Sequence, residues 1–433
     1  MIRKITLWLV FIPLSWALRA QDAMSLADCI DYAMTNHTDI RVAQLTIKDA
    51  DWQIKENRAA AYPHFDLGLS ATHFLQQPAL PAEAFGFGDP GTKLKFALKT
   101  NLSGKISYNQ LLFNSSYLVS IKAAKMYRDY VGLQLAAVQE RVRNQVEDAY
   151  LPALVVTESI NVLDKNIENQ EKLFNEVKAT YKAGFVEQLD VDRVEYILST
   201  LKTERESQVR QRDILLDALK FAMNKPIKEE LTLSDDIDKL LTAYGDINPD
   251  EDLDYMTRPA YVALIKAREL SQVQVEVYQK DWMPTLSFFA SYDPSYQGNN
   301  KLFWIPSSIF GFSVSMPIYD GGLSKAKEER AVISALQVDE QKNTLTRAMD
   351  LELDAAKKQF ANAKLKLADQ QHNMELAQRI HDTAQAKFKQ GVGSSFEVTQ
   401  ADSEYYQAQA LLISARFEYL KSIVGLKKAL GKS

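Results

Sequence analysis

The sequence predicts a mixed fold: a membrane β-barrel plus a long α-helical coiled-coil barrel, internally duplicated, with four strands per chain. Three observations carry this. The turn Tyr181-Lys182-Ala183-Gly184 returns 207 positions later as Phe388-Lys389-Gln390-Gly391. Around both turns the same order recurs, of helix, Pro, strand, loop, strand, very long helix, Gly turn and helix, and such self-similarity decides a fold before any single motif. Finally, Leu323 to Gln390 is a stretch of 68 residues without Gly or Pro, matched by 68 residues from Ser116 to Ala183 interrupted only by Gly132 and Pro152.

Residues 1–20 read as a signal peptide. Arg3 and Lys4 precede a mostly apolar run from Ile5 to Ala17, and Leu18-Arg19-Ala20 suits cleavage. The first repeat is assigned to 21–250: a helix, strands at about 63–74 and 95–113, long helices over 116–223, and a linker at 224–250. The second, 251–433, has a helix, strands at about 284–296 and 304–319, and long helices at 323–390 and 395–424. A 68-residue helix runs about 100 Å at ~1.5 Å per residue, too long to bury its apolar stripe without partners. In the helix after the first turn, Leu189, Val194, Ile197, Leu198 and Leu201 recur at the spacing of such a stripe.

Between these helices the period falls from 3.6 to 2. Phe65, Leu67, Leu69 and Ala71 alternate with Asp66, Gly68, Ser70 and Thr72. Phe96, Leu98, Leu102, Ile106 and Tyr108 oppose Lys95, Lys99, Asn101, Ser103, Lys105 and Ser107. Leu286, Phe288, Ala290 and Tyr292 form a third run, less clean because Phe289 interrupts its polar face. In the fourth, Phe310, Phe312, Val314, Met316 and Ile318 alternate with Gly311, Ser313 and Ser315. Ten-residue strands, apolar on one face and small or polar on the other, are the signature of a membrane barrel. Four strands cannot close alone, and open edges are not tolerated in lipid, so several copies must close the barrel together. Symmetry leaves two, three or four copies open. The first hairpin carries 15 surplus residues around Leu75–Thr92, which belong in an exposed loop.

Composition excludes several classes. A charged fraction of 25% and a hydrophobic fraction of 46% are those of an ordered protein. Removing the three basic residues of the signal takes the formal charge from −5 to −8, which argues against nucleic acid as a partner. Cys29 is the single cysteine, so no intrachain disulfide exists, and a structural cysteine suits its place better than a lipidated N-terminus. Beyond the signal no run of 18 apolar residues is present. Gly86-Phe87-Gly88-Asp89-Pro90-Gly91 matches a dinucleotide motif in letters only, since no helix opens at Gly91. His37, His64, His73, His372 and His381 share no metal-ligand spacing. No nucleophile elbow or P-loop is present, so neither an enzyme nor a cofactor is expected.

The functional signal lies at the two turns. Gly184 and Gly391 suit a left-handed reversal, and acids follow: Glu187, Asp190 and Asp192, then Glu397. Two accounts stand side by side. Ser394-x-x-Glu397 has the form of a capping box, and acids in a first turn complement the helix dipole. Alternatively, several copies converge and the acids ring a pore. Lys95, Lys99 and Lys105 share the polar strand face and would make a positive lumen wall.

With these residues in place, the chain resembles the TolC-like outer-membrane efflux family. The resemblance covers about residues 24–430. It rests on Ser25-Leu26-Ala27-Asp28-Cys29-Ile30-Asp31-Tyr32-Ala33, Asn36, Arg258-Pro259, Ile318-Tyr319-Asp320-Gly321-Gly322 and the turns Tyr181–Asp192 and Phe388–Ala401. It implies a homotrimer with a 12-stranded barrel in outer-membrane lipid above a periplasmic helical tunnel. It also implies docking to a periplasmic adaptor protein and an inner-membrane transporter. A passive exit duct of a tripartite efflux or secretion system is therefore expected, with a soluble periplasmic coiled-coil adaptor or scaffold as the alternative. Family gate aspartates correspond to Glu397 and Gln400 here, one charge kept and one lost, and Gly393 replaces a basic residue. Thr38 stands where Pro is frequent.

Overall fold

The computed structural model describes residues 23–432 except 87, 88, 90 and 246. The expected signal segment 1–20 lies outside the described residues. The chain forms two compact units that do not follow the sequence repeats. One comprises the described part of Met1–Arg41 with Val138–Thr257 and Met349–Ser433; the other comprises Val42–Ala137 and Arg258–Ala348.

In the first unit α1 (Leu26–Asn36) begins at a closed capping box, with Ser25 and Asp28 each accepting from the other's backbone N–H. α1 buries Leu26, Cys29 and Ala33. Burial pushes the Cys29 thiol up to about 12, the behaviour of an inert core cysteine. Asp235 holds this end in place, accepting from Leu26 N at 2.8 Å and from the buried Tyr150 hydroxyl at 2.8 Å. α2 (Thr38–Ala59) follows directly.

The long helices are α3 (Ser115–Lys182), α4 (Gln188–Ala222), α7 (Leu323–Lys389) and α8 (Ser395–Ala429). α3 runs unbroken through Pro152, whose neighbours Tyr150, Leu151, Ala153 and Leu154 are all buried. Packing there outweighs the roughly 3 kcal/mol that an interior proline costs. Buried small residues recur every seven positions on α8, at Ala401, Ala408, Ala415, Ser422 and Ala429, and at multiples of seven on α7, at Ala356, Ala363, Ala377 and Ala384, with the half-buried Gln370 in the intervening place. A strict seven-residue period under-winds a helix into a left-handed coiled coil, and alanine at the seam lets backbones approach closely. The segment expected as a linker holds α5 (Ile237–Tyr244), capped by Asp236, whose Leu241 and Tyr244 pack on a core of Phe360, Ile423, Leu426 and Leu430. That expectation missed a helix of eight residues because its apolar stripe spans only two turns.

The second unit contains α6 (Pro259–Gln279), with Pro259 at its first position, and the strands. Four strands were expected; eight are present among the described residues. β1 (His64–His73), β4 (Thr100–Phe113), β5 (Thr285–Asp293), β6 (Ser295–Gly298), β7 (Phe303–Trp304) and β8 (Ser307–Ser315) form one antiparallel sheet, while β2 (Ala79–Pro81) and β3 (Lys93–Lys95) form a separate hairpin. β4 pairs with β1 along one edge and with β5 then β6 along the other; β5 pairs with β8 and β6 with β7. Each expected second-repeat strand is thus broken once. Pro294 interrupts the first because it has no N–H to donate, although its carbonyl still accepts from Gly104 N at 2.9 Å.

Candidate functional site

The sheet has two chemically distinct faces. On one, Phe65 lies opposite Tyr108, Leu67 opposite Ile106, Ala290 opposite Phe310 and Leu286 opposite Val314. Four rings join across the strands in one row. Phe65 meets Tyr108 at 5.1 Å, Tyr108 meets Phe288 at 5.6 Å, and Phe288 meets Phe312 at 5.3 Å. Higher on the same sheet Tyr296 packs on Trp304 at 4.8 Å, and Tyr296 pairs with Leu102. Six residues of β4 separate the two aromatic levels, roughly 20 Å at ~3.4 Å per residue. The other face pairs Asp66 with Ser107, Gly68 with Lys105, Ser70 with Ser103 and Ser287 with Ser313. Phe289 is accommodated there because its ring covers Gly311, where a Cβ would come within 3.0 Å of it.

The three expected lumen lysines do not share a strand. Lys105 lies on β4, but Lys95 belongs to β3 and pairs with Ala79, and Lys99 precedes β4 with its backbone N–H donated to Asn299. The continuous strand expected from 95 is corrected for a physical reason. Phe96 turns onto Phe85, at 5.5 Å, and β3 takes β2 as its partner. The Gly-rich motif falls in this loop; Phe87, Gly88 and Pro90 lie outside the described residues, and β3 rather than a helix follows Gly91.

In the first unit, two Gly turns reverse the long helices. Gly184 and Gly391 both take the left-handed conformation, with φ +83° and +75°, and their N–H groups donate to Tyr181 and Phe388. The two tips share one core of Leu173, Val177, Val191, Val194, Ala384, Val398 and Ala401. Gly393 is a second requirement of the second turn, for a Cβ there would lie 2.9 Å from Lys387 Cβ and 3.0 Å from Phe388 N. Gly393→Ala is therefore expected to destabilise the tip by roughly 1–3 kcal/mol, as overpacking does, measured as a lower midpoint of thermal unfolding. An unchanged midpoint would show that the turn relaxes freely.

The acids after the turns have different fates. Asp190 is half-buried, accepts from Glu187 N at 3.1 Å to close a capping box, and accepts the Ser395 hydroxyl from the second hairpin. Arg193 lies 4.0 Å from the same carboxylate and stacks over Phe396 at 4.9 Å. Asp192 is exposed and held by Gln188 at 2.7 Å. Glu397 is exposed; its N–H is capped by Ser394 at 3.2 Å, but its carboxylate returns no bond, so the second box is half formed. Gln400 is exposed and donates to Glu404 at 2.7 Å. Capping thus accounts for Asp190 and leaves Asp192 and Glu397 facing solvent. Ser395 and Arg193, which tie the two tips together, were not legible in the sequence, since a serine and an arginine near a turn carry no signal. Among the described residues no group of three metal-ligating side chains occurs, and no helix is long and apolar enough to cross a membrane.

Comparisons with known proteins agree with this geometry. A family model described as "Outer membrane efflux protein" matches residues 29–224 and 257–432. The pyoverdine export outer membrane protein OpmQ of Pseudomonas aeruginosa is 23% identical over 324 residues, covering 73% of this chain and 65% of OpmQ, just under two thirds of its length. The probable efflux pump outer membrane protein TtgC of Pseudomonas putida is 22% identical over 424 residues, covering 94% of this chain and 83% of TtgC. Among solved structures, the fold is similar to that of CusC, with a TM-score of 0.75 at 15% identity over 95% of this chain and 93% of that one.

Proposed function

We infer the role of this protein from one premise: the chain belongs to the outer membrane efflux protein family. It is an outer-membrane protein with a large periplasmic helical part. In the reading proposed here three copies close one barrel from four strand runs each, β1, β4, β5 with β6, and β7 with β8. The long helices line a passive duct. An inner-membrane transporter supplies the energy, a periplasmic adaptor joins the two, and this chain catalyses no reaction.

The observation that carries the reading is the two-faced sheet with unsatisfied edges. Among the described residues β1 pairs only with β4, and β8 only with β5. In lipid an unpaired strand edge costs several kcal/mol per orphaned group, so another copy must cover it. The face bearing Phe65, Tyr108, Phe288 and Phe312 meets lipid, its aromatic levels marking the two interfaces. The face bearing Ser70, Ser103, Lys105, Ser107 and Ser313 lines water. A soluble adaptor would not expose Leu67, Leu69, Phe310, Phe312 and Val314 together on one sheet face, all more than half exposed. Mass measurement of the detergent-extracted protein is expected to give three chains, and a stable monomer would sink this reading.

Export substrates follow the same logic. The proposed lumen side of the sheet offers mainly small hydroxyls, with Asp66 and Lys105 as single charges of opposite sign and Phe289 lying over Gly311. Selection of cargo therefore belongs to the partners, and exchange of the transporter should change what passes. Pull-down after mild crosslinking, followed by identification of the captured transporter, measures this directly.

A further inference from the structure

We propose that His381 is a proton-binding site that latches α7 to α8 just behind the tip of the second hairpin. Asp402, on α8, is 1% exposed, and its Oδ1 lies 3.2 Å from Nε2 of His381 on α7. The same nitrogen lies 3.1 Å from the Gln385 amide nitrogen, one turn further along α7. Nδ1 faces Asp382 at 3.1 Å, and the ring stacks on Tyr405 at 4.6 Å. His381 is itself only 15% exposed.

Two states follow from these contacts. In the neutral ring Nδ1 carries the proton toward Asp382, so Nε2 is bare and accepts from Gln385. Asp402 Oδ1 is then a buried carboxylate oxygen without a donor, which is how it stands in the structure. Protonation reverses this. Nε2–H donates to Asp402, satisfying the orphan with a charge-assisted bond between two helices, and Gln385 must turn away. The competition of Gln385 and Asp402 for one nitrogen makes the site bistable.

The surroundings favour the charged state. The groups facing the ring are Asp402 and Tyr405 from α8, and Asp382 and Gln385 from α7. From α3, Gln170 reaches Tyr406 at 3.4 Å, whose hydroxyl burial pushes well above its usual range. The Asp402 carboxylate beside Nε2, followed by that of Asp382 beside Nδ1, raises the histidine against the opposing effect of burial. A histidine raised on folding contributes stability that is complete below its unfolded value of about 6.5 and is lost as pH rises through the folded value. The latch is therefore closed in mild acid and open in alkali. It occurs in one repeat only, since the position 207 residues earlier is Phe174, which packs on the shared tip core. The histidine latch is therefore confined to the second hairpin.

The test uses the full chain in detergent, labelled with ring-¹³C histidine. Of the five histidine signals, the one lost in His381→Gln should titrate with a midpoint above 6.5. Backbone hydrogen exchange over 379–404, corrected for intrinsic rates, should be several-fold slower at pH 5.5 than at pH 8. Asp402→Asn, which keeps the shape and supplies a neutral donor, should abolish that difference, as should His381→Gln. A His381 midpoint at or below 6.5, or a pH difference that survives both substitutions, overturns the proposal. A matching pH dependence of single-channel current rests in addition on the duct reading. If current ignores pH while the titration and exchange behave as stated, the latch stands and its coupling to the duct falls.

Discussion

Ile106→Arg is expected to abolish recovery of the folded outer-membrane assembly, while Ser107→Arg, one residue further, leaves it intact. The two side chains sit on opposite faces of β4. Ile106 lies opposite Leu67 on one neighbour and Tyr292 on the other, between the aromatic levels of Tyr108 and Tyr296. Ser107 lies between Asp66 and Ser291. An arginine near the bilayer midplane costs roughly 2–4 kcal/mol. Per chain this is a large share of the roughly 5–15 kcal/mol by which a folded domain is stable, and in the proposed trimer it would be incurred three times. The arginine at 107 reaches water and has the Asp66 carboxylate directly opposite. Membrane fractionation and resistance of the oligomer to heat in detergent gels measure the contrast. Equal recovery of both variants would show that the alternation does not report lipid.

How far the fold was legible follows from the range of the interactions that fix each element. The helix ends at Lys182 and Lys389 and both turn glycines are set by local chemistry, a left-handed residue closing onto the last turn, and they stand in the sequence as letters. Alternation gave the two faces of β1, β4 and β8 for the same reason, since period 2 is a local property. The strand breaks were less visible. Pro294 was a readable interruption, but the end of β3 at Lys95 depends on β2, a partner 14 or more residues away. So Lys95 and Lys99 were placed on a strand that begins only at Thr100. Alanines seven apart on α7 and α8 were a readable seam that a search for large apolar residues passes over. His381 and Asp402 carry no motif, yet they stand ten and eleven residues on either side of Gly391. Reflecting the sequence about that turn places them at the same level of an antiparallel pair.

The candidate gate residues separate along the same line, and this yields the second large expected effect. Glu397→Ala and Asp192→Asn should each weaken divalent-cation block of single-channel current several-fold, with little change in thermal stability. Both carboxylates are exposed, and neither closes a cap. In a trimer each would be present three times around one axis, where like charges in a narrow mouth repel one another and attract cations. Asp190→Ala should behave in the opposite way. Its carboxylate closes the box at Glu187, accepts the Ser395 hydroxyl and lies beside Arg193, so its loss frees both hairpin tips at once. The cap alone is worth about 0.5–2 kcal/mol per chain, and losing the Ser395 bond leaves a buried hydroxyl without its acceptor. The expected result is a lower unfolding midpoint and a larger, noisier current, because the tips are no longer held to each other. Measuring block and unfolding on the same three variants assigns the roles. If Glu397→Ala and Asp192→Asn leave block unchanged, these acids do not ring the pore. If Asp190→Ala leaves both stability and current unchanged, the bond between the tips is not what keeps the mouth narrow.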